Sequence, residues 1–233
     1  MKYCPSAKKC GGCRNIHEPY ENSLAFKQDK VNKLYAGKKV ERIIGMEDPY
    51  HYRHKIYASF SQTRDGRIIA GMYEENTHRL IDSRMCLIQH ARANAILQTI
   101  CTVATDMKLE AYDEDRGTGT LRHAYLRVSH ANQEVLVVIV IGSKDLPGSR
   151  SFVQKIVSAH PEIRTVILNW NRENTSMILG PKDKVLYGKG YIEDEIAGMV
   201  FRISAHTFYQ VNPVQTEVMY STALQYAQLK KTD

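Results

Sequence analysis

The 233-residue sequence has no run approaching 18 apolar residues, and no apolar segment stands behind the basic residue of its opening MKYCPSAKKC. The expectation is therefore a soluble, cytoplasmic chain with no membrane partner and no cleavable export signal. It also lacks internal repeats and low-complexity linkers, and a composition of 43% apolar and 24% charged residues excludes a disordered acidic protein. The signatures G-x-S-x-G and H-E-x-x-H and the Walker pattern are missing. The nine histidines are scattered; His51 and His54 lie in Tyr50-His51-Tyr52-Arg53-His54-Lys55, a basic, aromatic stretch better suited to phosphate and base contact than to metal. The one glycine-rich turn, Arg116-Gly117-Thr118-Gly119-Thr120, follows acidic Asp113-Glu114-Asp115 and leads into a strand, so it reads as a turn and not as a phosphate loop.

What is present begins with charge and cysteine. Lys and Arg number 32 against 25 Asp and Glu, a formal charge of +7, which makes a polyanion a sensible partner. Of five cysteines, Cys4, Cys10 and Cys13 fall within ten residues. An odd total in a reducing compartment argues against a disulfide framework and for metal. Gly11-Gly12 let Cys10 and Cys13 reach one centre, Cys4 can join them, and a fourth thiolate must come from far along the chain. Cys86 ends a polar loop before a helix, whereas Cys101 falls among Leu97, Ile100 and Ala104 at helical spacing, a core position; placement favours Cys86. Three clustered ligands plus one distant one suit an iron–sulfur cluster, with zinc the open alternative.

Periodicity predicts a helix over 20–36 ended by Gly37, a hairpin of 56–62 with 67–73, and a helix over 89–107. A second hairpin follows, 121–129 with 134–141, in which VLVVIVI is a central strand. Beyond it come a helix from Ser149 as N-cap, strands near 165–169 and 176–179, and a hairpin around 193–204. A last helix starts at Pro213, capped by Asn212. The expected fold class is α+β, antiparallel hairpins with packed helices and an N-terminal iron–sulfur loop. The expected organisation is a cysteine loop over 1–19, a central region over 20–203 closed by Cys86, and a linker and helix over 204–233.

Three passages resemble one family. Cys4, Cys10, Cys13 and Cys86 are similar in order and spacing to the [4Fe–4S] ligands of the bacterial RNA (uracil-5-)-methyltransferases, which use S-adenosylmethionine to make 5-methyluridine in ribosomal RNA. Tyr52-Arg53-His54-Lys55 resembles that family's YRNK-like stretch. Most specific is the run from Leu186-Tyr187-Gly188 through YIED and FRIS to Phe208-Tyr209-Gln210-Val211-Asn212-Pro213, similar to the region ahead of the catalytic domain.

The resemblance implies an α+β portion whose doubly wound methyltransferase domain is missing from this chain, to be supplied in cis or in trans. A chain without the family's cofactor loop and nucleophilic cysteine would be inactive alone. It further implies Gln210 as an S-adenosylmethionine contact and Phe208 as a platform for a flipped base, with an enzyme thiolate adding to uracil C6 so that C5 can attack the methyl sulfonium. Arg53, Lys55, Arg122 and His123 are the expected RNA contacts, with Lys8, Lys9 and Arg14 extending the patch beside the cysteine loop. Two other classes compete: a stand-alone iron–sulfur or zinc RNA-binding module without activity, and a redox carrier.

Overall fold

The computed structural model describes residues 2–13, 15–74, 77 and 79–230. In chain order they form α1 (Tyr20–Leu34), β1 (Lys55–Gln62), β2 (Ile68–Tyr73), β3 (Leu80–Asp82), α2 (Ala91–Asp106), β4 (Leu121–Val128) and β5 (Val135–Ile141). There follow α3 (Ser149–Ala159), β6 (Ile163–Trp170), β7 (Lys182–Gly188), β8 (Ile192–Ile196), β9 (Met199–Ile203) and α4 (Pro213–Ala227).

Every residue of β5 is buried, because a strand apolar on both faces must be covered on both. It lies in a seven-stranded sheet of order β3-β2-β1-β4-β5-β6-β7, antiparallel to β4 and parallel to β6, with α3 as the crossover. The expected assembly of antiparallel hairpins is therefore corrected: the sheet is mixed, and its one parallel pair joins the two strands richest in β-branched residues. α2 and α3 cover one face, burying Ile96, Leu97, Ile100, Phe152 and Ile156 against β1, β4, β5 and β6. The other face is covered over Leu136, Val138, Val140 and Ile167 by Ile192 and Ile203 of the separate β8–β9 ribbon and by Ala205.

Two local expectations change. Residues 176–179 are not a strand; Asn171 Nδ2 donates to the carbonyls of Met177 and Ile178 (2.7 and 3.2 Å), holding them as a loop packed over the sheet. The strand falls instead at β7, an edge whose charged, exposed residues disguise it. The helix after β5 is capped by Gly148 in the left-handed region (φ +63°) rather than by Ser149.

Two features place the site. A Cβ on Gly71 would stand 1.9 Å from the Ile81 carbonyl oxygen, so only glycine lets β3 lie against β2. β3 in turn fixes the loop to Cys86, where Ser83 N–H donates to Ala70 O (3.1 Å) and Cys86 N–H to Ser83 O (2.9 Å). At the other end Asn212 Oδ1 accepts from Gln215 N–H (3.1 Å) and caps α4.

Candidate functional site

Cys4, Cys10, Cys13 and Cys86 line one cavity of about 50 Å³, walled on its apolar side by Met72, Ile81 and Ile88. A turn closed by Cys10 N–H on Ser6 O (2.8 Å) and a bridge from Cys10 to Glu74 bring the N-terminal loop onto the end of β2. All four are free thiols. Burial, then Cys86, Cys10 and Cys4 in that order, push the Cys13 thiol up to about 11, while Arg53 pulls the other way. A thiol raised by burial and three neighbouring thiols is one that a bound cation would hold ionised. Among the described residues no group of three or more His, Cys, Asp or Glu side chains could hold a metal ion as the side chains stand. Cys101 stands apart: it is buried in the core of α2, and burial pushes it up to about 12.

A cationic strip starts beside this cavity. Arg53 is pinned by its backbone between Ile88 and His90 (2.9 and 3.0 Å). Two residues on, Lys55 is the register partner of Arg127 across β1 and β4. Like charges directly opposite are unfavourable, and burial followed by Arg127 and Arg53 lowers the Lys55 pKa. What holds the pair is the segment after β9. Lys55 Nζ donates to Tyr209 O (3.2 Å), Arg127 donates to Thr207 O, and His54 N–H donates to Val211 O (2.8 Å). Arg127 is buried over the Tyr125 ring, and its Nε has no partner among the described residues. Phe208, between the two anchored carbonyls, is 80% exposed, its ring 5.5 Å from Lys55 Nζ. Gln210 is half-buried in the same segment.

The structure thus sets Arg53 beside Cys13 and Lys55, and Lys55 against the Phe208 ring and the segment that carries Gln210. Arg122 and His123, the other two expected RNA contacts, lie apart from this group and are buried. Arg122 is 3% exposed and forks onto Glu114 through Nε and Nη2 (2.8 and 2.7 Å), while Nη1 donates to Asn171 O and Glu173 O. His123 is buried, with Nδ1 3.1 Å from Ser59 Oγ. Lys8 and Lys9 are exposed; Arg14 lies outside the described residues. Arg127 was legible only as one basic residue among several. Its signal is positional, since pairing β1 with β4 sets Lys55 opposite it.

Histidines here respond to acid. His90, at the start of α2, packs edge-on against His54 (4.6 Å between ring centres), which in turn meets His130 (5.4 Å). Burial first, then these neighbours and Arg92, lower His90 to about 4 from 6.5; burial and Arg122 lower His123 likewise to about 4. Between pH 6.5 and 4 the unfolded chain binds these protons and the folded chain does not. Their contribution is therefore fully present above pH 6.5 and lost as pH falls to about 4. Denaturant melts at pH 7, 5.5 and 4.5 should show stability declining by a few kcal/mol, since each tenfold difference in proton affinity between the two states is worth about 1.4 kcal/mol. A flat profile across that range would contradict the burial of these two rings.

No family model matches the chain. It is 38% identical over 97% of its length to an uncharacterized RNA methyltransferase of Halalkalibacterium halodurans, and covers 50% of that protein. It is 37% identical over 97% of its length to one of Caldanaerobacter subterraneus, covering 51%, and 32% over 97% to one of Staphylococcus aureus, again covering 51%. The chain thus spans about half the length of these curated relatives. Its fold superposes, with a TM-score of 0.76 and 20% identity, on the crystal structure of Pyrococcus abyssi tRNA (uracil-54, C5)-methyltransferase in complex with S-adenosyl-L-homocysteine, over 97% of this chain and 52% of that one. That match corrects the expected fold class, which was defined by a missing methyltransferase domain: over nearly all of its length the chain has the mixed-sheet fold of part of a protein named as a methyltransferase. Over nearly its whole length, then, the chain is similar to about half of proteins named as RNA methyltransferases.

Proposed function

We propose that this chain grips and positions RNA for methylation of uracil at C5 by an S-adenosylmethionine-dependent RNA methyltransferase. On this reading Cys4, Cys10, Cys13 and Cys86 hold a [4Fe–4S] cluster that braces the grip, and ribosomal RNA is the substrate the motif resemblance favours. The observation that carries the RNA reading is the Lys55–Arg127 pair. Two cations set opposite each other beside Arg53, with the exposed Phe208 ring next to them, are a cost to the fold that a polyanion converts into affinity.

Each residue has a role in this reading. Arg53 and Lys55 take phosphates, and Arg127 holds the 207–211 segment through Thr207 O. Phe208 stacks on a base, a contact worth about 1–3 kcal/mol. Gln210 offers an amide with both donor and acceptor edges to S-adenosylmethionine, which when bound supplies the methyl group. The cluster reading rests on four thiols around one cavity. Three clustered cysteines with one distant one are the asymmetric ligand pattern that favours iron–sulfur over zinc.

Anisotropy titrations of single-stranded RNA across a salt series test the grip. Arg53→Ala and Lys55→Ala should each weaken binding and reduce the salt slope by about one. Absence of RNA binding by the unaltered protein, or slopes unchanged in both variants, would sink the reading.

A further inference from the structure

A second polar hollow lies on the same sheet face as Lys55, beside the part of that face where Tyr57 and Tyr125 pack under the β8–β9 ribbon. Alternate residues of a strand share a face, so Lys55, Tyr57 and Ser59 of β1 look the same way. Their register partners on β4 are Arg127, Tyr125 and His123. Tyr73 of β2, Glu114 and Arg122 join Tyr57, Ser59 and His123 around a pocket of about 420 Å³, rimmed by the 174–176 loop. That volume is within the range of small-molecule sites and holds one nucleoside.

The lining selects what can enter. Glu114 and Arg122 neutralise each other through a two-bonded fork (2.8 and 2.7 Å), so the floor carries no net charge to attract a phosphate. Burial keeps the His123 imidazole neutral; its Nδ1 lies 3.1 Å from Ser59 Oγ and its Nε2 3.9 Å from Glu114 Oε1, so Ser59, His123 and Glu114 form one polar row along the pocket. Half-buried Tyr57 and Tyr73 supply aromatic faces beside that row. A planar ligand with a polar edge and an uncharged ring fits this combination. The pocket centre lies about four residues along β1 from Lys55, roughly 13 Å at the rise of an extended strand. An oligonucleotide held at Arg53 and Lys55 reaches it.

We propose that this pocket takes one unpaired base of the bound RNA, stacked on a tyrosine ring and hydrogen-bonded along its edge by Glu114, His123 and Ser59. The inference rests on the RNA reading above and adds to it a base-reading site separate from the cationic strip.

The test uses the full chain and a set of single-stranded RNA decamers, each carrying 2-aminopurine at a different position. Stacking should quench one position several-fold more than its neighbours. Tyr57→Leu and Tyr73→Leu should remove that quench, and at least one should weaken affinity about tenfold while leaving the salt slope unchanged. Tyr57→Phe and Tyr73→Phe keep the ring and should restore both, which separates stacking from a fold defect. Wild-type affinity and quench in both leucine variants would overturn the pocket and leave the cationic strip standing. Equal loss in the leucine and phenylalanine variants would overturn it too, since the ring would then not be what binds. Absence of RNA binding by the unaltered chain would overturn both proposals.

Discussion

Cys86→Ser protein prepared without oxygen should contain little or no iron, while Cys101→Ser protein should contain as much as the unaltered chain. The contrast follows from position. Cys86 faces the same cavity as Cys4, Cys10 and Cys13, at the end of a loop that β3 holds in place, whereas Cys101 packs in the core under α2. Serine is a poor substitute for a thiolate, and losing one ligand of four opens the site to solvent and loss of metal. On the cluster reading the variant should also be less stable, because the described residues would then hold the N-terminal loop by turns, the Cys10–Glu74 bridge and Lys2 on Tyr50 alone. Elemental analysis of both variants decides it. Equal iron in the two would show that the distant ligand is not Cys86.

Glu114→Ala should destabilise the fold by about 3–5 kcal/mol, the usual cost of leaving a buried charge without its partner. Arg122 is 3% exposed and its pKa is raised by the Glu114 hydrogen bonds against the pull of burial, so removing the carboxylate strands the guanidinium. The double variant Glu114→Ala/Arg122→Met should recover much of the loss, since the guanidinium stranded by the first change is then gone as well. Urea denaturation reads both. A Glu114→Ala cost below about 1 kcal/mol would place the pair in an exposed-salt-bridge class.

The sequence is informative where a pattern has one physical cause. VLVVIVI can only be a strand covered on both faces, and Asn212-Pro213 can only begin a helix; both stand where periodicity puts them. The parallel pairing of β5 with β6 is harder to read. A both-faces apolar strand needs neighbours but does not say in which direction they run, although the helix between the two was the available signal. β7 hides because an exposed edge strand keeps charges such as Lys182, Asp183 and Lys184. The loop at 176–179 looks like a strand because it is apolar, and it is apolar because it covers the sheet.

Among the site residues, cysteine spacing finds the cavity, since ligand geometry is partly local. Arg122, His123 and Arg127 defeat the same approach. β4 is buried along all eight residues and its register shifts between Leu121 and His123, so alternation does not tell which basic residue faces solvent. Only pairing with β1 separates Arg127, set against Lys55, from Arg122, closed onto Glu114.

Arg53 acts on both Cys13 and Lys55, so on the proposed reading a cluster held by the cysteines would brace the RNA grip beside it. The most direct test of that coupling is the affinity for single-stranded RNA of one oxygen-free preparation, measured before and after iron is stripped by a chelator. The expected result is about four irons per chain and RNA binding at least tenfold weaker once they are removed. A preparation that holds no iron, or one that binds RNA equally well with and without it, would contradict the coupling of cluster to grip.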